Sequence, residues 1–266
     1  MGEIRMMNPV RMSCSAVADA VRAVLLALSF LSASLLAATA SQAEEARDVL
    51  ETALSGLVGQ PIVIESVVPS PAPGISEVKI LNGPVLYATE DGAYFFLNGD
   101  LHQTTASGAT NLAEQSRSKI RVEQLAKIGT AEMVVFAPPG ETRDFITIFT
   151  DVTCFYCQKL HREVDQLNAM GIEVRYLAFP RGGIPSEGAT KLATAWCADD
   201  QQTTLTELKA GVDLPLNECV DNPIAAQYEL GQIMGVSGTP AIITSSGMMI
   251  PGYRPAADIA GILGLN

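Results

Sequence analysis

Two cysteines three residues apart constrain this chain more than any other feature of its sequence. Cys154 and Cys157 stand in the run T-D-V-T-C-F-Y-C-Q-K-L, directly after the apolar segment D-F-I-T-I-F. The apolar segment is typical of a buried β-strand, and the residues after the first cysteine favour a helix. A Cys-x-x-Cys pair at such a junction can bind a metal, carry a haem, or alternate between a dithiol and a disulfide.

The junction favours redox chemistry. A thiolate at the start of a helix is stabilised by the unpaired backbone N–H groups of the first turn and by the helix dipole. Cys154 is therefore expected to have a lowered pKa and to act as the nucleophile, and its sulfur is expected to be the more exposed of the two. Cys157 lies on the same face of the helix and would resolve a mixed disulfide by attacking the Cys154 sulfur.

Haem and zinc fit the sequence less well. Haem attachment needs a histidine directly after the second cysteine, and Gln158 stands there instead. Zinc could use the same two cysteines with His161 and a fourth ligand, either Cys197 or Cys219. Structural zinc sites usually bring a second closely spaced pair, which these last two cysteines are not. No metal or other cofactor is therefore expected, and His161 either tunes the thiolate or is a partly exposed helix histidine.

Residues 1–43 are typical of an export signal. Three arginines precede an apolar core from Val24 to Leu36, and the small residues Ser41 and Ala43 precede a polar segment. This order predicts cleavage after Ala43 and removal of Cys14. The alternative is an uncleaved membrane anchor, because the uncharged stretch that ends at Ala43 is just long enough to span a bilayer.

Four cysteines remain after the signal, and an even number in an exported chain is typical of two disulfides in an oxidising compartment. Cys197 and Cys219 flank a helix–loop–helix region, and a bridge between them would stabilise the fold by about 3 kcal/mol. A bridge between Cys154 and Cys157 closes so small a loop that it constrains the unfolded chain very little. An inert role therefore suits Cys197 and Cys219 better, with a second redox pair as the open alternative.

Composition excludes one class of partner. The chain has 266 residues, a formal net charge of −12 at pH 7 and 48% apolar residues. A nucleic-acid-binding protein would show a basic patch or stripe, and the sequence has none. No nucleic-acid partner is therefore expected. The length of 266 residues is typical of a chain with two domains.

Two domains and a connecting helix are predicted. In residues 44–108 a short helix precedes strands that end at N-G and D-G, the turns of β-hairpins. Residues 109–129 contain the segment Asn111–Ile128, which lacks Pro and Gly. This composition predicts an exposed connecting helix. Residues 130–266 begin with strand, helix and strand, which predicts a parallel pair with a right-handed crossover. A mostly helical insertion, Ser186–Met234, follows, with loops around 211–216 and 221–223.

The predicted strands are Ile62–Val68, Ile75–Leu81, Val85–Ala88, Tyr94–Leu97, Ala131–Phe136, Phe145–Phe149, Ile172–Leu177, Ala241–Thr244 and Met248–Ile250. The predicted helices outside the insertion and the connecting segment are Glu44–Leu57, Cys154–Ala169 and Ala256–Leu263. The N-terminal unit of about 60 residues buries too little surface to be stable alone. It either pairs with a second copy or packs onto the C-terminal half of its own chain.

A second motif, G-V-S-G-T-P-A-I-I-T, precedes the last hairpin. Proline lacks the N–H group that a strand interior needs, so Pro240 is expected at the start of a strand. A cis bond between Thr239 and Pro240 would turn the chain sharply at that point. Phe155 and Tyr156, between the cysteines, either contact the apolar surface of an unfolded substrate or cover the disulfide.

Several motifs in the same order resemble a known family. Strand, Cys-x-x-Cys at a helix start, strand, helices and T-P entering a hairpin resemble the thioredoxin fold. F-T-D-V-T-C-F-Y-C-Q-K-L-H, V-R-Y-L-A-F-P-R, A-W-C-A and G-V-S-G-T-P-A-I-I resemble the DsbC family of bacterial periplasmic disulfide isomerases. The likeness extends to V-L-Y-A-T-E-D-G in the N-terminal half. It implies an α+β fold with a small β-rich dimerisation domain, a linker helix, and a thioredoxin-like α/β domain with a helical insertion.

The resemblance also implies partners. It implies a V-shaped homodimer joined by the N-terminal domains, whose two thioredoxin-like arms face a broad apolar cleft. The substrates would be misfolded exported proteins with wrong disulfides. A membrane thiol reductase of the DsbD type would keep the active pair reduced.

For the site, the resemblance implies that Thr239 and cis-Pro240 lie against the two active cysteines and bind the substrate backbone. It also implies a structural bridge between Cys197 and Cys219. Phe155 stands where the family often has glycine, and a DsbG-like branch with other residues there accepts fewer substrates. We therefore expect a periplasmic thiol:disulfide isomerase with chaperone activity. The alternatives are a DsbG-like thiol reductase or chaperone with few clients, a dithiol oxidase, and a holdase that does not need its cysteines.

Overall fold

A computed structural model describes residues 44–97, 99–105 and 108–265. The predicted export signal, its cleavage site after Ala43 and the alternative membrane anchor lie outside these residues. Across the ranges described, no helix has the length and apolar character needed to cross a membrane.

The N-terminal half is a small antiparallel sheet covered by a helix. Helix α1 spans 44–58, and the sheet has the order β1-β2-β3-β4. Its strands are β1 (Ile64–Pro69), β2 (Ile75–Ile80), β3 (Val85–Thr89) and β4 (Phe95–Phe96). Leu50 and Leu54 of α1 pack against apolar side chains of the sheet such as Val78 and Leu86. Asn82 has a positive φ of 52°, as the predicted Asn-Gly turn between β2 and β3 requires.

A two-stranded hairpin and a helix connect the halves. The hairpin, β5 (His102–Thr105) and β6 (Gly108–Asn111), was not predicted. Helix α2 spans Leu112–Leu125 and begins where the sequence predicts. Asn111 caps its N-terminus, because the Asn111 side chain accepts a hydrogen bond from Glu114 N. The predicted exposure of this helix is wrong. Arg121 is buried and donates to the carbonyl oxygens of Met234 and Gly247, so α2 packs on the C-terminal half.

The C-terminal half is built on a five-stranded sheet of order β11-β10-β8-β9-β7. Its strands are β7 (Val134–Phe136), β8 (Asp144–Thr150), β9 (Ile172–Ala178), β10 (Ala241–Thr244) and β11 (Met249–Pro251). Strands β8 and β9 are parallel, which confirms the prediction, and the other pairs are antiparallel. Ile146 and Ile148 face one apolar cluster and Phe149 faces another, so the sheet is buried on both faces.

Six helices cover this sheet. They are α3 (Phe155–His161), α4 (Val164–Ala169), α5 (Glu187–Trp196), α6 (Gln201–Lys209), α7 (Ile224–Ile233) and α8 (Ala256–Ile262). The predicted single helix over Cys154–Ala169 is wrong, because the chain leaves helical geometry at Glu163 (φ −104°, ψ 6°). The Glu163 carboxylate accepts hydrogen bonds from Tyr253 Oη and Ala256 N. These bonds to the start of α8 hold the break in place.

Three smaller predictions also need correction. Residues 131–133 belong to a 3-10 turn (Thr130–Glu132) and its end rather than to a strand. Strand β4 has two residues instead of the four of Tyr94–Leu97. The two loops predicted in the helical insertion are one irregular segment, 210–223, between α6 and α7.

Candidate active site

The Cys-x-x-Cys pair lies at the end of the central strand. Strand β8 ends at Thr150, a short loop follows, and Cys154 caps the N-terminus of α3. Gln158 holds the loop, because its Nε2 donates to Val152 O at 2.9 Å. Both cysteines are reduced, and they are 3% and 1% exposed. Exposure therefore hardly distinguishes the two thiols.

The T-P motif lies directly against Cys154. Strand β10 pairs antiparallel with β8, with Ala241 opposite Phe149, so the segment before β10 meets the carboxyl end of β8. The Thr239–Pro240 peptide bond is cis. Cys154 Sγ lies 3.2 Å from Thr239 O. Sheet pairing thus brings together two motifs that lie far apart in the sequence.

The ionisation of Cys154 is strongly favoured. A hydrogen bond from the Cys157 thiol lowers the pKa of Cys154 to about 5, with further help from Thr239 and Arg181, although burial opposes the shift. Thr239 Oγ1 is buried and has no other hydrogen-bond partner among the described residues, so it is free to donate to the Cys154 thiolate. Cys154 is therefore a thiolate at neutral pH.

Cys157 has the opposite ionisation. Burial raises the pKa of its thiol far above the ordinary value, and the hydrogen bond to Cys154 raises it further. A protonated Cys157 can donate a hydrogen bond to the Cys154 thiolate. The site therefore holds one nucleophilic sulfur and one thiol that must lose a proton before it can attack.

Asp151 and Arg181 shape the loop before Cys154, and sequence reasoning did not single out either. The buried Asp151 carboxylate accepts hydrogen bonds from Thr153 N and Thr153 Oγ1, both at 2.8 Å, and from Arg181 N at 2.8 Å. The Arg181 guanidinium reaches Thr153 O at 3.2 Å. The sequence D-V-T could have predicted this turn, because an aspartate side chain commonly accepts a hydrogen bond from the backbone N–H two residues later.

His161 is buried, and the prediction of a partly exposed helix histidine is wrong. Its Nδ1 is 2.9 Å from Tyr176 Oη, and its Nε2 is 2.9 Å from Thr206 Oγ1. Burial, with the charge of Lys209, lowers the pKa of His161 to about 3. The imidazole is therefore neutral at physiological pH and cannot tune the Cys154 thiolate as a cation.

An aromatic surface borders the thiols. Phe155 and Tyr156 are 64% and 55% exposed, and their rings meet edge to face at 5.4 Å between centroids. Tyr156 stacks on Tyr253 at 6.3 Å, and Lys159 Nζ lies 4.1 Å from the Tyr253 ring centroid. The two residues between the cysteines therefore present more than half of their surface to solvent beside the active site.

The other two cysteines are bonded to each other. A disulfide of 2.00 Å joins Cys197, at the end of α5, to Cys219 in the irregular segment before α7. Neither can supply the fourth zinc ligand considered above. No group of three or more His, Cys, Asp or Glu that could hold a metal occurs in the portion of the chain that the structure covers.

Comparison with known proteins matches both halves of the chain. Residues 131–265 match the family model of a thioredoxin-like domain, and residues 37–114 match that of the disulfide bond isomerase protein N-terminal domain. These matches confirm the predicted α+β fold class, in which an N-terminal β-sheet domain precedes a thioredoxin-like domain.

Three curated relatives bear the same description, thiol:disulfide interchange protein DsbC. The protein of Escherichia coli K12 is 38% identical over 195 residues, which cover 73% of this chain and 79% of that protein. The protein of Salmonella typhimurium is 37% identical over 235 residues, covering 88% and 94%. That of Haemophilus influenzae is 39% identical over 198 residues, covering 74% and 81%. This chain, with its reduced Cys-x-x-Cys pair in a thioredoxin-like domain, therefore belongs to the DsbC family of thiol:disulfide oxidoreductases.

Proposed function

We propose that this protein is a periplasmic thiol:disulfide isomerase and reductase that rearranges wrong disulfides in exported proteins. The opposite ionisation of the two active-site thiols carries this proposal. Cys154 is a thiolate at neutral pH and can attack a disulfide directly, whereas Cys157 remains a protonated thiol until the resolving step. A mixed disulfide therefore persists long enough for a substrate thiol to attack it.

The proposed reaction begins when the Cys154 thiolate attacks one sulfur of a wrong substrate disulfide. A bond forms between Cys154 and that sulfur, and the other substrate sulfur leaves as a thiolate. In isomerisation, a further substrate thiolate attacks the substrate sulfur of the mixed disulfide, forms the new pairing and releases the Cys154 thiolate. In reduction, Cys157 attacks Cys154 instead, which releases the reduced substrate and leaves the enzyme as its own disulfide.

Four residues form the proposed substrate-binding surface. Thr239 and Pro240 lie against Cys154 and would bind the backbone of a substrate strand. Phe155 and Tyr156 supply exposed aromatic area next to the reacting sulfur. This surface suits unfolded chains because apolar and backbone contacts require no particular substrate sequence. The Cys197–Cys219 bridge takes no part in this chemistry and serves as a structural disulfide.

The proposed assembly is a homodimer. Residues 44–108 form the dimerisation domain, 109–129 the linker helix and 130–266 the catalytic domain. The support is exposed apolar area on the small N-terminal domain, on Val63, Val68, Leu81, Tyr94, Phe96 and Leu97. A membrane thiol reductase of the DsbD type would reopen the Cys154–Cys157 disulfide, and the export signal would end at Ala43.

Refolding of a scrambled protein tests the proposal. The reduced mature chain is added to a substrate with several wrong disulfides, and recovery of the substrate's own activity is followed. We expect rapid recovery that is lost with Cys154→Ala, because no mixed disulfide can then form. The Cys219→Ala variant serves as a comparison, since it keeps both active thiols. Its recovery rate per folded molecule should match that of the wild type.

Other outcomes would contradict the proposal in distinct ways. Oxidation of a reduced substrate by the disulfide form, without isomerisation, would make the protein a dithiol oxidase. Suppression of aggregation that survives in the Cys154→Ala, Cys157→Ala double variant, with no recovery by the wild type, would make it a holdase. Recovery with very few substrates would place it with the DsbG-like branch.

A further inference from the structure

A buried lysine lies next to the active site without a carboxylate partner. Lys209, the last residue of α6, is 3% exposed. Its Nζ donates a hydrogen bond of 2.7 Å to Thr150 Oγ1 at the end of β8 and lies 5.3 Å from the ring centroid of Tyr176. Among the described residues it forms no ion pair with a carboxylate. Burial of an ammonium group without a carboxylate partner opposes folding, so stability alone does not account for a lysine at this position.

Lys209 is electrostatically coupled to the two thiols. Burial lowers the pKa of Lys209 to about 8, and negative charge on its neighbours opposes that shift: that of Cys157 most strongly whenever this thiol is ionised, then those of Asp151 and Cys154. In return, the charge of Lys209 lowers the pKa of Cys157 against the larger effect of burial. Lys209 is not among the main influences on Cys154. The lysine is therefore coupled to the resolving thiol more than to the nucleophile.

A cavity connects this lysine with solvent. Lys209, His161, Gln158 and Thr206 line a space of about 240 Å³ between α3, α4 and α6. A water molecule takes up about 30 Å³ in the liquid, so the cavity is large enough for several waters. A proton can therefore move between the buried amine and bulk solvent through water in this cavity.

The other titratable or charged groups that face Lys209 or line this cavity are Asp151, His161, Arg162, Asp165 and Tyr176. Two of them are neutral at pH 7, because burial lowers the pKa of His161 to about 3 and raises that of Tyr176 well above its ordinary value. The Asp151 carboxylate is already hydrogen-bonded to Thr153 and Arg181. His161 and Tyr176 therefore do not compete with Lys209 as proton acceptors near neutral pH.

Building on the proposed roles of the two cysteines, we propose that Lys209 accepts the proton of the Cys157 thiol in the resolving step. In the resting protein the Cys154 thiolate helps to keep Lys209 charged. Once Cys154 is bonded to a substrate sulfur, that negative charge is gone and the buried amine loses its proton to solvent more readily. The neutral amine then takes the Cys157 proton, which leaves a thiolate and an ammonium that stabilise each other.

The step balances in atoms and electrons. The Cys157 thiolate forms a bond with Cys154 Sγ, and the bond between Cys154 and the substrate sulfur breaks. The substrate sulfur leaves with the electron pair and takes a proton from solvent, while Lys209 holds the proton that Cys157 lost. Lys209 touches no substrate, so it acts as a positioning residue through Cys157.

An aromatic disulfide separates the two steps experimentally. The reduced full-length protein is mixed rapidly with excess dithio-bis-nitrobenzoate, which releases one coloured thiolate when Cys154 attacks. A second coloured thiolate is released when Cys157 resolves the mixed disulfide. In Lys209→Met, which removes the charge at similar length, we expect an unchanged first phase. The second phase should slow about tenfold at pH 7, the effect of one pKa unit on the Cys157 thiolate fraction, and its pH profile should move to higher pH.

A matched lysine provides the control. Lys191 on α5 forms a surface ion pair with Glu187, and Lys191→Met should leave both phases unchanged. The free energy of unfolding gives a second readout. Loss of an unpaired buried charge should leave it unchanged or raise it in Lys209→Met, whereas a structural lysine would make it fall.

Each result decides between the two proposals. An unchanged second phase in Lys209→Met overturns the role of Lys209 and leaves those of the cysteines intact. Absence of the first phase in the wild type, or its persistence in Cys154→Ala, overturns the roles of the cysteines. If Lys209→Met fails to fold, Thr150→Val removes the hydroxyl that binds Nζ. An unchanged second phase in that variant overturns the proposal as well.

Discussion

The groups around Cys154 lower its pKa, and this lowered pKa makes the stability of the reduced protein depend on pH. The folded protein holds its pKa at about 5, whereas a cysteine in an unfolded chain has a pKa near 8.5. A lowered folded pKa stabilises the reduced protein fully above the unfolded pKa, and this contribution is lost as pH falls to about 5. The disulfide form has no Cys154 thiolate and lacks the contribution.

We therefore expect the reduced protein to unfold at a higher temperature than the Cys154–Cys157 disulfide form at pH 7. The difference should shrink as the pH is lowered towards 5. Calorimetry of both forms measures this difference in unfolding temperature. Thiol counting shows that the Cys197–Cys219 disulfide stays oxidised in both. In Cys154→Ala this pH dependence should be absent. Equal unfolding temperatures of the two wild-type forms at pH 7 would contradict the thiolate assignment.

At the scale of elements, the turn between β10 and β11 contacts the connecting helix. Gly247 in this turn has a φ of 85°, and a Cβ atom there would collide with the backbone oxygen of Ser118 in α2. Gly247 O also accepts a hydrogen bond from Arg121 of the same helix. The hairpin and α2 therefore approach so closely that only glycine fits.

Alanine substitution tests this contact. We expect Gly247→Ala to lower the free energy of unfolding by about 3 kcal/mol, because it adds a collision to an unfavourable φ. Gly252, at the other end of the hairpin, has a φ of 77° and open space around it. Gly252→Ala should lower the free energy of unfolding by only about 1–2 kcal/mol, the effect of the left-handed backbone alone. Denaturant titration measures both, and equal losses would mean that the contact with α2 is unimportant.

At the scale of the whole molecule, the N-terminal sheet ends in two edge strands, β1 and β4. Its side chains still expose apolar area, including Phe96 on β4 and Val68 on β1. Ser116 of α2 donates a hydrogen bond of 2.6 Å to Glu77 on β2, so the domain also packs on its own connecting helix. That contact covers part of the sheet, and pairing with a second copy would use an edge strand.

We expect sedimentation to give twice the chain mass for the mature protein. Phe96→Lys should shift the population to monomers, because a lysine on an edge strand opposes pairing. The rate at which Cys154 is alkylated should stay unchanged, since the catalytic domain is intact. Val220→Lys, a similar change at an almost fully exposed residue of the C-terminal half, should leave the dimer unaffected. A monomeric wild type would contradict the proposed assembly.

Local signals in the sequence predicted most of the regular structure. Asn-Gly at 82–83 predicted the turn between β2 and β3, and the turn residues that end Ile75–Leu81 and Val85–Ala88 predicted the two strands. The break at Glu163 left no such signal, because its partners Tyr253 and Ala256 are some 90 residues away in the chain. A helix interrupted by distant hydrogen bonds looks continuous in a local pattern.

The candidate site was likewise predicted from the sequence only in part. The spacing of Cys154 and Cys157 at the end of an apolar strand predicted the redox pair and its place in the fold. The same pattern could not show that His161 is buried and neutral, or that Lys209 lies close to Cys157. Helical periodicity indicates which face of a helix a residue lies on, but not what packs against that face.

The sequence alone determined the class of chemistry and the family, because cysteine spacing, turn residues and apolar periodicity are local properties. The helix start also predicted that Cys154 is the thiol with the lowered pKa. Only the tertiary structure showed that Cys157 is buried and neutral, and that Thr239 and Arg181 reach Cys154 through strand pairing and loop packing. A pKa reflects the burial and charges around a group in space, and segments distant in the sequence supply part of them once the chain has folded.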